Sequence, residues 1–107
     1  MDIQWNHSGS VSVAVLAGRM DAVSAQMFEQ QVSQLTNKAV RVVLDLTHLE
    51  YISSMGLRSI LATAKKLQVS GGGLCLCGAR GLVKDILECS NFHALFPIFQ
   101  TAAEAMA

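Results

Sequence analysis

The segment Val40-Arg41-Val42-Val43-Leu44-Asp45-Leu46 is almost continuously apolar and rich in β-branched residues. A strand with one face in water alternates apolar and polar positions, so a nearly unbroken run fits a parallel strand covered on both faces. Downstream, Leu57, Ile60, Leu61, Ala64 and Leu67 recur at helical spacing, with Arg58, Lys65 and Gln68 mainly on the other side. A buried strand followed by an amphipathic helix is the repeating unit of a parallel sheet, whose neighbouring strands need a crossover between them. The stretch from Thr47 to Ser53 reads as a short connection from this strand to this helix.

The pattern repeats on both sides. Towards the N-terminus, Ile3 to Trp5 is a weak opening strand, and His7-Ser8-Gly9-Ser10 its turn. Val11 to Leu16 alternates and is β-branched, as a strand should be. Gly18-Arg19-Met20-Asp21 breaks it. Asp21 or Ser24 then caps a helix carrying Ala25, Phe28, Val32 and Leu35 on one face, which ends at Asn37 and Lys38. Towards the C-terminus, Gly71-Gly72-Gly73 feeds a short buried strand, Leu74 to Cys77, and Gly81 to Cys89 forms a third helix. Pro97 keeps Phe96 out of the helical region, so Phe96 to Phe99 is extended. Thr101-Ala102-Ala103-Glu104 has capping-box spacing and opens a last helix. The resulting order is β-β-α-β-α-β-α-β-α: one α/β domain over 1–107, with a mixed, mainly parallel sheet packed against helices.

Composition narrows the function. The 107 residues are 51% hydrophobic, and eight basic residues balance eight acidic ones. Without a basic excess, direct nucleic-acid contact is not expected. No apolar run is long enough for a membrane span, and the first residues lack the features of a signal peptide. A cytoplasmic protein is the expectation. Three cysteines, Cys75, Cys77 and Cys89, make no even disulfide framework.

The chemistry-bearing motifs are incomplete. A nucleophile elbow wants glycine on both sides of its serine, and Ile52-Ser53-Ser54-Met55-Gly56 supplies only the second. Asp45, His48 and Ser54 share one connected segment, a poor source of triad geometry. The Gly71–Gly73 triplet runs from helix into strand, the wrong polarity for a phosphate loop. Cys75 and Cys77 give two ligands of the four a structural zinc needs and read as small core residues. His7, His48 and His93 are scattered. No catalytic residue, metal or cofactor is therefore expected. What remains is the pair Ser53 and Ser54 at a helix start. Either hydroxyl can cap the helix. A helix N-terminus also tolerates phosphate, because its free amide groups and dipole favour negative charge.

The segment Val43-Leu44-Asp45-Leu46-Thr47-His48-Leu49-Glu50-Tyr51-Ile52-Ser53-Ser54-Met55-Gly56-Leu57-Arg58 resembles the signature of the STAS-domain anti-sigma factor antagonists. That signature is a strand ending in Asp-Leu/Phe-Ser/Thr, then an aromatic, an aliphatic, and Asp/Ser-Ser-small-Gly-Leu. Gly18-Arg19-Met20-Asp21 is similar to the family's Gly-x-Leu-Asp loop. Gly72 to Gly78, the terminal Phe96-Pro97-Ile98-Phe99 and Glu104-Ala105 also sit where the family has them.

The resemblance implies regulation by binding. Members bind an anti-sigma factor that is also a serine kinase with a histidine-kinase-like ATPase fold, and so release a sigma factor or another output. That kinase phosphorylates a serine at this helix start, and a PP2C-type phosphatase reverses it. The family register makes Ser54 the acceptor, with Ser53 second. It places Asp21, Ser53, Ser54, Met55, Gly56 and Arg58 on the docking face. Two residues depart from the pattern: Ser53 stands where many members have aspartate, and Met55 where a small residue is usual. The alternative is a structural STAS subunit of a membrane transport or other regulatory complex, in which the serine is only a cap.

Overall fold

The β-branched segments pair into one five-stranded sheet, and the amphipathic segments cross over it. In the computed structural model, which describes residues 1–35 and 40–106, β1 (Asp2–Ser8) and β2 (Val11–Met20) form an antiparallel hairpin. Its turn contains Gly9, whose φ of +61° lies in the left-handed region that glycine enters without steric cost. Then follow α1 (Ala22–Ser33), β3 (Arg41–Ile52), α2 (Ser54–Val69), β4 (Gly73–Cys77) and α3 (Gly81–Cys89). A single 3-10 turn, Phe92–Ala94, leads to β5 (Ile98–Phe99) and α4 (Ala102–Met106). The strands lie in chain order, with β2 to β5 mutually parallel.

Alternation along the strands divides the core into two layers. Ala14, Leu16, Val42, Leu44, Leu46, Leu74 and Leu76 pack with Phe28 of α1, Ile60, Ala64 and Leu67 of α2, and Val83 and Leu87 of α3. On the other face, Val13, Val43, Cys75 and Cys77 pack with Ala105 of α4. β3 is thus covered on both sides, the reason its apolar run is continuous. Cys75 and Cys77 share one face of β4 and are free thiols in the core.

Four boundaries differ from the sequence reading. The stretch read as a connection after Leu46 is strand: β3 continues to Ile52. Leu46, Leu49 and Ile52 all face the core, a spacing of three that alternation cannot produce. Val15 pairs with Asp45 and Met20 with Ile52, so β3 takes seven steps where β2 takes five. Two irregularities in the ladder absorb the extra residues, as bulges do. Nor does Gly18 end β2; it bends the strand with φ +96°, and pairing resumes to Met20. The first strand is longer than expected, and the extended piece at Pro97 contributes only Ile98 and Phe99 to the sheet. Helix α1 is described to Ser33 with Gln34 as its C-cap; the expected stop at Asn37 and Lys38 lies outside the described residues.

Candidate functional site

Because Met20 pairs with Ile52 at the carboxyl ends of β2 and β3, α1 and α2 begin side by side. The Ser53 amide donates to the Met20 carbonyl at 2.8 Å, so the two helix starts are tied together by backbone. Each is then capped by the residue after its strand. In α1 the Asp21 carboxylate accepts from the Ser24 amide at 2.9 Å, and the Asp21 amide donates to the Ser24 hydroxyl at 2.8 Å, a reciprocal capping box. In α2 the Ser53 hydroxyl accepts from the Gly56 amide at 3.1 Å. Of the two serines, Ser53, the better candidate for the cap, is the one that makes the bond.

Ser54 is consequently released from a structural duty. It is the first residue of α2, exposed, and its hydroxyl has no hydrogen-bond partner among the described residues. The first amides of a helix have no partner within it, so they point outward around this position. Met55 follows, also exposed, and Arg58 is exposed one turn further on, at the i+4 position from Ser54. Gly56 is buried beneath them. A Cβ there would lie 2.9 Å from Ile52 Cγ2 and 3.2 Å from the Met20 carbonyl oxygen. The glycine of the motif is required because the first turn of α2 rests directly on the paired strand ends.

The Asp21 carboxyl is held below the usual range, first by the Ser24 amide and then by the Ser24 hydroxyl, so it is ionised at neutral pH. Thus Asp21, Ser53, Ser54, Met55, Gly56 and Arg58 come together at one end of the sheet. Three neighbours join them: Arg19 of the Gly18–Asp21 loop, Tyr51 and Val23. Arg19 lies over the Tyr51 ring, 4.5 Å from its centroid, because these residues pair across β2 and β3. Val23 is exposed at the second position of α1, as Met55 is in α2. The signal for Val23 was available: Asp21-Ala22-Val23-Ser24 and Ser53-Ser54-Met55-Gly56 share the order cap, small, bulky apolar, small.

Asp45, by contrast, is used locally. Its carboxylate accepts from the Thr47 hydroxyl at 2.6 Å and the Thr47 amide at 3.1 Å. The intervening strand separates it from Ser54 by roughly 20 Å at 3.3 Å per residue, so the pair cannot share a proton. His48 is an exposed residue of β3. The His7 ring is hydrogen-bonded to the Ser12 hydroxyl at 2.8 Å and stacks on Trp5. Among the described residues no three His, Cys, Asp or Glu side chains are placed to hold a metal ion. No helix is long and apolar enough to cross a membrane among these residues.

These features, a sheet of this topology with a serine-capped helix at the ends of its central strands, coincide with a known family. The STAS domain profile matches residues 2–105, and the chain belongs to the STAS domain family. A relative in Bordetella bronchiseptica, BtrV, which bears the name of an anti-sigma factor antagonist, is 38% identical over 108 residues, covering 100% of this chain and 93% of the relative. The anti-sigma F factor antagonist of Paenibacillus polymyxa is 25% identical, over 99% of this chain and 92% of its own. Among solved structures, unphosphorylated SpoIIAA, an anti-sigma factor antagonist, superposes with a TM-score of 0.84 over 98% of this chain and 93% of that one. At 18% identity that likeness concerns the fold. SpoIIAA has also been solved in a phosphorylated form, with a TM-score of 0.75 to this chain over 98% of it and 96% of that chain.

Proposed function

We propose that this chain is an anti-sigma factor antagonist whose binding is switched by phosphorylation of Ser54. In this reading the unmodified protein docks an anti-sigma factor, itself a serine kinase of the histidine-kinase-like ATPase fold, through Asp21, Ser53, Ser54, Met55, Gly56 and Arg58. Docking frees the sigma factor or another output. The kinase then transfers phosphate to Ser54, and a PP2C-type phosphatase removes it. The protein itself is a binding module over 1–107, without turnover of its own.

The observation that carries the reading is the division of labour between two adjacent serines. Ser53 is engaged as the cap, whereas Ser54 is exposed and free of any structural bond among the described residues. Phosphate there adds about −1.5 to −2 charges. The helix dipole and the open amides of the first turn accommodate that charge within the domain. A partner surface evolved for a neutral hydroxyl beside apolar Met55 would have to desolvate it. A coupling of about 1–3 kcal/mol, equivalent to roughly 5- to 150-fold in affinity, makes a switch without a change of fold. Relatives named as anti-sigma factor antagonists, and the existence of SpoIIAA in both phosphorylation states, support the reading.

The test is to incubate the protein with ATP and each ATPase-fold serine kinase of its own organism, then locate phosphate by mass spectrometry and titrate binding. Ser54 should carry the label. Ser54→Ala should bind but resist labelling, Ser54→Asp should bind more weakly, and both should keep the parent's circular dichroism. Label on Ser53 would move the site by one residue. Undiminished binding of the phosphorylated protein would remove the switch, and failure of every kinase to bind or label would remove the function.

A further inference from the structure

Val23 and Met55 occupy the same position in two neighbouring helices. Each is the second residue of its helix, each follows a one-residue cap, and the caps follow residues that pair directly across the sheet, Met20 and Ile52. The side chains therefore leave the same end of the molecule in the same sense. They stand about one helix spacing apart, roughly 8–10 Å, with Ser54 immediately before Met55.

Both are bulky, apolar and in water: Val23 is 79% exposed and Met55 47%. Nothing in the fold asks for this. The first turn of a helix favours acidic residues, which complement its dipole, yet neither α1 nor α2 has one there. Neither side chain contributes to the core. Leu82 opens α3 similarly and is 56% exposed, but β4 stops at Cys77, level with Asp45. Leu82 lies beside Thr47 to Glu50 of β3, whereas Val23 and Met55 follow the paired ends Met20 and Ile52 and flank Ser54.

We propose that Val23 and Met55 form a two-point apolar grip for the kinase-type partner, and that the pair determines which partner the chain accepts. The inference rests on the reading of Ser54 as the phosphoacceptor. A kinase that brings its active site onto Ser54 has to cover Met55 beside it, and its surface then reaches the neighbouring helix start at Val23. The partner must present a complementary apolar surface flanking the position of the serine hydroxyl. The grip also explains why phosphate is disruptive: a dianion placed next to two desolvated side chains loses its water and gains no counter-charge from them. Interfaces concentrate affinity in a few well-packed residues ringed by contacts that exclude water.

The experiment uses the kinase that binds and labels the parent protein in the assay above. Val23→Ser and Met55→Ser should each weaken binding by roughly tenfold, as loss of one anchor does, and the double variant by more. Labelling of Ser54 should slow through a raised KM, with kcat little changed, since neither side chain touches the transferred phosphate. Val23→Leu should restore parental affinity. Val69, 89% exposed at the far end of α2, is the control, and Val69→Ser should bind as the parent does. Circular dichroism and melting should match the parent in all of these. Single variants that bind as tightly as Val69→Ser would overturn the grip while leaving Ser54 as acceptor. A parent protein that binds no kinase would instead overturn the function on which the grip depends.

Discussion

Gly56 shows how a single residue is decided by competing magnitudes. Helix propensity favours alanine over glycine by about 1 kcal/mol. Against that, a Cβ at this position meets Ile52 Cγ2 at 2.9 Å and the Met20 carbonyl at 3.2 Å. Neither gives easily: Cγ2 is bonded directly to the Cβ of buried, β-branched Ile52, and the carbonyl is held in a strand. Overpacking of this kind costs about 1–3 kcal/mol, so Gly56→Ala should be destabilising on balance, by roughly 1–2 kcal/mol in a urea titration. The adjacent serines separate in the same assay. Ser53→Ala removes the cap and should cost about 0.5–2 kcal/mol, whereas Ser54→Ala, at an exposed position without a bond, should stay within about 0.5 kcal/mol. Equal losses at the two serines would show that the cap is shared.

At the scale of the element, α1 depends on a charged cap where α2 depends on a neutral one. Asp21 has its pKa lowered by the Ser24 amide and hydroxyl. The folded state therefore binds this proton less readily than the unfolded chain, and stability rises with pH between the folded and unfolded values. The contribution of the charge is fully present above the ordinary aspartate value of 3.8. It is lost as pH falls through the lower, folded value. Asparagine keeps a capping oxygen without the charge. The stability of the parent relative to Asp21→Asn should thus be constant from pH 7 to about 5 and decline in more acid solution. Denaturant midpoints for the two proteins across that range measure it; a difference that does not move with pH would deny the carboxylate its role.

Across the whole molecule, the two faces of the sheet are covered unequally. Three helices cover one face, and on the other the five residues of α4 close over Val13, Val43, Cys75 and Cys77. Thr101 caps α4 by accepting from the Glu104 amide, and the Arg41 guanidinium donates to the Ala105 carbonyl. Burial pushes the Cys77 thiol up to about 12, with Asp45 and Cys75 adding to the effect. Burial also raises Cys75, partly offset by Arg41. Both thiols are then protonated and unreactive at neutral pH, while Cys89 is exposed. A thiol reagent at pH 7.5 should titrate one group per folded chain and three after denaturation. Rapid native labelling of Cys75 or Cys77 would mean that α4 opens readily.

How much of this was legible beforehand depends on how local each cause is. Periodicity and capping chemistry act within a few residues, so the element order, the boundaries of α3 and the apolar face of α2 could all be read directly. The continuous run around Val43 announced a doubly covered strand because burial on both faces leaves no polar position to alternate with. The pair Ser53-Ser54 before Gly56 marked the site, but either hydroxyl satisfied the rule for a cap. Ser53 was the better candidate, and the folded backbone brings Gly56 N–H onto its hydroxyl. The continuation of β3 to Ile52 was hidden. Leu46, Leu49 and Ile52 keep one face only if the ladder with β2 takes up two extra residues, and that is a property of two strands together. Val23 shares with Met55 a place in the order cap, small, bulky apolar, small, but sequence alone does not bring the two segments together. It joins Ser54 and Met55 because Met20 pairs with Ile52, and register between distant segments is set by packing of the whole sheet rather than by either segment alone.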